Sequence, residues 1–192
     1  MIELLLMMAA SAPAAPVDQP ADQRMARIAA LYADVCLKAF PGERAVDAAM
    51  LIRNGQQLPP EAVKVTMRDD PARAWYVKEE DATVWLELPP VRACSVRWSA
   101  AEEGSAQFYQ AAIANYKSRV GEFMTMPPQS IDRGDIHVSA TGETRALPDQ
   151  SLESLFFIIQ SVNDPKRRAA GETGMVLRYV HQIAPSRGSV EK

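Results

Sequence analysis

The chain has 192 residues, of which 47% are hydrophobic and 23% charged, and its formal net charge is -3. This balance is typical of a globular protein rather than a disordered or fibrous one, and the length is sufficient for one domain with a sizeable core. A mildly acidic chain lacks the basic surface of a nucleic-acid-binding protein, so we do not expect nucleic acid as a partner.

An apolar run, Leu4–Ala10, stands near the N-terminus. The run is too short to cross a bilayer, which takes about 20 residues, and Ala12-Pro13-Ala14 fits the pattern at which signal peptides are cleaved. We therefore predict a signal peptide over residues 1–14 and, after cleavage, an exported protein without stable membrane insertion. Glu3 and the lack of Lys or Arg before the run depart from this pattern, so a start further upstream, or a segment that is not a signal, is the alternative.

Helical periodicity follows a linker predicted over residues 15–21. Apolar residues recur at i, i+3, i+4 and i+7 spacing from Asp22 to Phe40, and Cys36 lies in this stripe. A second helix is predicted over residues 43–54, ending at Asn-Gly. A third is predicted over residues 105–120.

Strand patterns fill the remainder of the chain. Residues 63–67 alternate apolar and polar side chains, which predicts a strand with one wet face. The stretch Trp75–Trp98 contains all three tryptophans and predicts three strands, the last of which points Cys94 inward beside Val96 and Trp98. Residues 152–162 are apolar on both sides, which predicts a central strand covered on both faces.

The other predictions concern the last third of the chain. Residues 124–130 are expected to be irregular, Thr141-Gly142 to form a turn, and the polar residues 163–173 to form a loop before a final strand over 175–183 that pairs antiparallel with residues 152–162. The element order predicts an α+β fold, with an antiparallel sheet on which two N-terminal helices and one further helix pack. We expect one domain over residues 22–184 and a disordered tail over residues 185–192.

The two cysteines indicate one disulfide. An even count in an exported protein favours a bridge between Cys36 and Cys94. Such a bridge closes a loop of about 58 residues, for which the chain-entropy model gives roughly 4 kcal/mol. The alternative is two unpaired, buried thiols that act as small hydrophobic side chains.

No familiar catalytic or cofactor motif is present in the sequence. The two histidines, His137 and His181, have no second histidine or cysteine at metal-ligand spacing, and there is no phosphate-binding glycine loop or nucleophile-elbow motif. We therefore expect no metal and no cofactor, and structural roles for both histidines. The pattern leaves the enzyme question open but favours a protein that is not an enzyme.

Three residues are candidates for ligand binding: Trp85, Glu87 and His181. Trp85 and Glu87 share one side of a predicted strand, where an exposed indole beside a carboxylate suits a glycan or peptide. The alternative is that a helix covers this side and Trp85 belongs to the core. His181 lies two residues from Tyr179, and the pair would line a pocket.

Four segments together carry a resemblance: residues 35–41 (VCLKAFP), 86–90 (LELPP), 93–96 (ACSV) and 177–183 (LRYVHQI). With these segments, the chain resembles a group of small exported proteins of unknown function from Gram-negative bacteria. The resemblance implies a periplasmic location and paired cysteines, and it assigns no activity. We expect a non-enzymatic domain that binds an envelope protein or ligand. The alternatives are a small hydrolase using dispersed carboxylates and His181, and an inhibitor of an envelope hydrolase acting through residues 163–173.

Overall fold

The computed structural model describes residues 19–100 and 105–182. The predicted signal peptide, residues 15–18 of the linker and the predicted tail lie outside them. The described helices are α1 (Gln19–Tyr32, continued as a π-helix over Ala33–Ala39), α2 (Glu43–Ile52), α3 (Pro60–Met67), α4 (Gln107–Val120) and α5 (Pro165–Ala169). The strands are β1 (Gln56–Gln57), β2 (Ala72–Val77), β3 (Ala82–Glu87), β4 (Arg92–Ala100), β5 (Met124–Arg133), β6 (Ile136–Ala146), β7 (Leu152–Val162) and β8 (Thr173–Gln182).

The strands form one antiparallel sheet in the order β1-β2-β3-β4-β8-β7-β6-β5. Side chains alternate along each strand, so the sheet has two distinct faces. The helical face carries Trp75, Val84, Cys94, Leu155 and Leu177, which form the main core with α1, its π-helical continuation, α2 and α4. We call the other side the opposite face. It has a smaller buried cluster, made by Val63, Ala74 and Trp85.

The disulfide fastens the helical layer to the centre of the sheet. Cys36 lies in the π-helical segment, where Val35, Cys36 and Leu37 are all buried. Its Sγ is 1.96 Å from the Sγ of Cys94 on β4. The predicted bridge and the predicted α+β class are both confirmed, as is the antiparallel pairing of the last strand with residues 152–162.

Residues 60–67 form a helix, so the strand predicted over 63–67 is wrong. Val63 and Met67 are four residues apart and therefore also fit a helical stripe, and both pack in the cluster around Trp85. Val65, which the strand pattern placed inside, is 85% exposed. Pro60 occupies the first turn of α3, where its missing N–H costs no hydrogen bond.

Two predictions for residues 124–142 are also wrong. The stretch 124–130 belongs to the edge strand β5, and its two prolines lie where the register with β6 shifts between Met126 and Gln129, a position at which a strand tolerates proline. Thr141-Gly142 is not a turn but lies inside β6. A Cβ added to Gly142 would come within 2.6 Å of the Phe156 ring, so this glycine makes room for an aromatic ring lying across the sheet.

The prediction of two covered faces for residues 152–162 holds on one side only. Leu155 and Phe157 are buried on the helical face, whereas Phe156 and Ile158, on the opposite face, are partly exposed. The polar segment 163–173 also differs from expectation, because it contains the short helix α5. Asp164 caps this helix by accepting hydrogen bonds from the N–H groups of Lys166 and Arg167.

Candidate functional site

Trp85 and Glu87 lie together on the opposite face, and both are buried. Trp85 is 6% exposed and Glu87 7% exposed. Helix α3 covers Trp85 through Val63. This tryptophan therefore belongs to the core, which was the alternative to an exposed indole. Neither side chain is therefore a surface platform, and their contacts show what they hold in place.

Glu87 accepts hydrogen bonds from two arginines on neighbouring strands. Both terminal nitrogens of Arg178 donate to its carboxylate, with Nη2 2.7 Å from Oε2. Arg97 makes a longer contact, with Nη2 3.4 Å from Oε1. One buried carboxylate thus faces two guanidinium groups, which leaves one positive charge uncompensated within this cluster.

Arg97 is held in a fixed orientation by the residues around it. Its guanidinium carbon lies 4.7 Å from the centre of the Trp85 ring, and its Nε donates to Ser95 Oγ at 3.2 Å. The Trp85 ring is itself fixed, because its Nε1 donates to Thr83 Oγ1 at 2.8 Å. Among the described residues, no hydrogen-bond acceptor contacts Arg97 Nη1.

The electrostatics of Arg97 reflect this crowding. Burial lowers the pKa of its guanidinium from the usual value. The Glu87 carboxylate acts in the other direction, and the charge of Arg178 lowers the pKa again. A guanidinium that shares one carboxylate with another cation, partly away from water, gains from an additional anion.

A cleft of about 390 Å³, which we call the Arg97 cleft, opens beside this group. Its side chains on the opposite face come from five neighbouring strands: Tyr76, Thr83, Arg97, Ser99, Gln160 and Val176. Register explains the space, because Gly174 lies between Ser99 and Gln160 in adjacent strands and contributes no side chain. The volume is within the range of small-molecule sites.

His181 lies elsewhere, on the helical face at the other end of β8. Its Nδ1 is 4.0 Å from Glu153 Oε1, beyond hydrogen-bond distance. Glu153 is buried and accepts two hydrogen bonds, one from Arg145 Nε at 2.6 Å and one from the Tyr179 hydroxyl. Burial and this bond hold the pKa of Tyr179 far above its usual range. The structure therefore brings His181 together with Glu153 and Tyr179, and does not bring it near Trp85 and Glu87.

His137 takes part in a polar cluster that the sequence does not suggest. Its Nδ1 lies 2.7 Å from Asp132 Oδ1, and its Nε2 lies 3.4 Å from Ser130 Oγ. The histidine thus contacts a serine through one ring nitrogen and an aspartate through the other, which is the arrangement of contacts in serine hydrolases. All three are on the β5–β6 hairpin, and Ser130 and Asp132 are exposed. A turn at Gly134-Asp135 connects the two strands.

Within residues 19–100 and 105–182, no group of three or more His, Cys, Asp or Glu side chains is arranged to hold a metal ion. No helix in this part of the chain is long and apolar enough to cross a membrane.

Comparison with known proteins identifies no relative: no protein-family model, no curated protein and no solved structure matches the chain. The class is therefore defined by the fold alone, a disulfide-linked α+β protein with an eight-stranded antiparallel sheet.

Proposed function

We propose that this protein is a non-enzymatic periplasmic domain that binds a ligand or envelope partner in the Arg97 cleft. The observation that carries the proposal is a ligand-sized cleft beside the Arg97 guanidinium, which Trp85, Ser95 and Glu87 hold in place. Its Nη1 has no acceptor among the described residues. Rigid side chains lower the cost of ordering a site on binding, which is the usual reason for building one in this way. The disulfide is compatible with export to an oxidising compartment.

In this proposal Trp85 and Glu87 are positioning residues rather than ligand contacts. Trp85 supports the guanidinium of Arg97 from one side, and Glu87 draws its Nη2 toward β3. The sequence drew attention to this strand face through Trp85 and Glu87, but not to Arg97, which lines the cleft.

The test fills the cleft without disturbing its walls. The three atoms nearest to a Cβ at Gly174 all belong to Gln160, at 3.7 Å or more, so Gly174→Val is sterically tolerated at its Cβ and projects its methyl groups into the cleft. Ala140→Val is the matched control, because Ala140 lies on the same face, two strands beyond Val176 in the same cross-strand row. In both variants a valine replaces a smaller residue.

Each protein, labelled with ¹⁵N, is titrated with the small-molecule fraction of a periplasmic extract, and immobilised protein is used for capture from the whole extract. We expect amide shifts that cluster at the cleft, and capture that the control retains and Gly174→Val loses. Shifts that map elsewhere, or capture that Gly174→Val leaves intact, would contradict the cleft as the binding site.

A hydrolase is the second candidate function, at a site other than the predicted His181 group. The observation in its favour is the Ser130–His137–Asp132 cluster. A general base must lie within hydrogen-bond reach of its nucleophile, and this cluster, unlike the His181 group, has that contact. The test is labelling by a fluorophosphonate probe, with Ser130→Ala and Ser139→Ala as matched variants on facing strands. Labelling that only Ser130→Ala abolishes would establish the alternative, and an absence of labelling would remove this site.

A further inference from the structure

We infer that the Arg97 cleft recognises a carboxylate, so that its ligand is a small organic acid or a chain end bearing a free carboxyl group. This inference rests on the proposed function and names the chemistry of the ligand. The geometry that carries it is the unequal sharing of Glu87 by two arginines on adjacent strands.

The charges around the cleft do not cancel. Arg97 and Arg178 supply two positive charges, and Glu87 supplies the one negative charge that they share. The other carboxylate at the cleft, Asp81, is already occupied. Its Oδ1 accepts from the Tyr76 hydroxyl at 2.9 Å, and its Oδ2 pairs with Arg24 Nη2 at 3.3 Å. The charge left over is therefore positive, and an anion in the cleft completes the group.

Arg97, not Arg178, is the arginine that lines the cleft, and its Nη1 has no acceptor among the described residues. Arg178 directs both terminal nitrogens to Glu87. The Nε of Arg97 donates to Ser95 Oγ, and its Nη2 makes only the long contact to Glu87. The space beside Arg97 is an open cleft rather than a buried pocket. The N–H groups of Arg97 that remain are those of Nη1 and the second N–H of Nη2, which form one edge of the guanidinium. The Trp85 ring holds this edge in one orientation, and such an edge matches the two coplanar oxygens of a carboxylate.

The remainder of the cleft accommodates the body of such an acid. Thr83, Arg97 and Val176 are cross-strand neighbours in one row, so a hydroxyl and an apolar side chain flank the position from which the Arg97 side chain extends. The next row supplies Ser99 and Gln160 on either side of the gap at Gly174. A carboxylate at Arg97 thus leaves an apolar portion next to Val176 and polar groups within reach of a hydroxyl and an amide.

The experiment compares an organic acid with its neutral amide and with an inorganic anion. ¹⁵N-labelled protein is titrated with 3-phenylpropionate, with the neutral 3-phenylpropionamide and with inorganic phosphate. Hydrogen bonds to charged groups exceed neutral ones, so we expect the acid to bind about 10- to 100-fold more tightly than the amide, with shifts centred on Arg97. Phosphate, which lacks an apolar portion, is expected to bind more weakly than the acid.

Variants assign the preference to one side chain. Arg97→Gln is expected to abolish the difference between acid and amide, whereas Arg97→Lys retains the charge and part of the difference. Arg44→Gln is the control, because Arg44 is an exposed arginine on α2. Circular dichroism and thermal unfolding confirm that each variant is folded, and Arg97→Lys keeps the test decisive where Arg97→Gln is unstable.

The outcomes separate this inference from the proposed function. Equal binding of acid and amide in the cleft, or an acid preference that survives Arg97→Gln, overturns the carboxylate assignment and leaves the cleft as a binding site. Phosphate that binds as tightly as the acid also overturns it. If neither acid nor amide shifts the cleft residues while periplasmic material still binds in a manner sensitive to Gly174→Val, the carboxylate assignment fails alone.

Discussion

Removing the disulfide tests how the helical layer is held on the sheet. Replacing both cysteines by alanine opens a covalent loop whose ends are 58 residues apart. The chain-entropy relation gives about 4 kcal/mol for a loop of this length, because the unfolded chain regains the conformations that the bridge forbids. Domains are typically stable by only about 5–15 kcal/mol, so the loss is a large fraction of the total.

The assay is urea unfolding followed by tryptophan fluorescence. Trp75 and Trp98 belong to the same core cluster as both cysteines, so their emission reports this region. We expect a lower midpoint and a steeper dependence on urea, since an unbridged unfolded chain exposes more surface. Reduced wild-type protein is the control that keeps the sulfur atoms in the core while opening the loop, and it separates chain entropy from lost packing. A loss below about 1 kcal/mol in both the double variant and the reduced protein would refute the reasoning.

Three further predictions concern the core and the opposite face. Trp85→Ala is expected to cost about 3–5 kcal/mol in urea unfolding, because the ring is enclosed beneath α3; a loss under about 1 kcal/mol would mean that the helix does not cover it. Gly142→Val is expected to cost about 1–3 kcal/mol and to move the ring resonances of Phe156, and unchanged resonances would contradict the close approach. Stability is expected to fall above pH 10, because burial raises the pKa of four tyrosines, so the unfolded chain loses phenolic protons first. These are Tyr32, Tyr109, Tyr116 and Tyr179, and each contributes up to about 1.4 kcal/mol per pH unit. Since the fifth tyrosine, Tyr76, is not buried, a change in absorbance near 295 nm that corresponds to more than one tyrosine titrating near pH 10 in folded protein would contradict this.

The sequence alone determined the features that depend on neighbours along the chain. The apolar stripe of the first helix places Cys36 inward, and strand alternation places Cys94 inward beside Val96. Two inward cysteines in a chain with no others made their pairing predictable, and the order of periodicities predicted the α+β class.

The tertiary structure decided whatever depends on which strands are adjacent. Val63 and Met67 satisfy both strand and helix periodicity, and the need to cover Trp85 selects the helix, in which Val65 is exposed. The space for Phe156 at Gly142 likewise exists only because β6 and β7 pair in one register.

The Arg97 cleft shows the same limit for function. Arg97 shares a strand face that alternation predicts, but its partner Arg178 is 81 positions away in the numbering and becomes a neighbour only because β8 pairs with β4. The empty space of the cleft comes from Gly174, and its missing side chain matters only because β4 and β7 place Ser99 and Gln160 on either side of it. Local patterns fix which way a side chain points, whereas charge balance and empty space are set by strand order, and strand order is a long-range property of the folded chain.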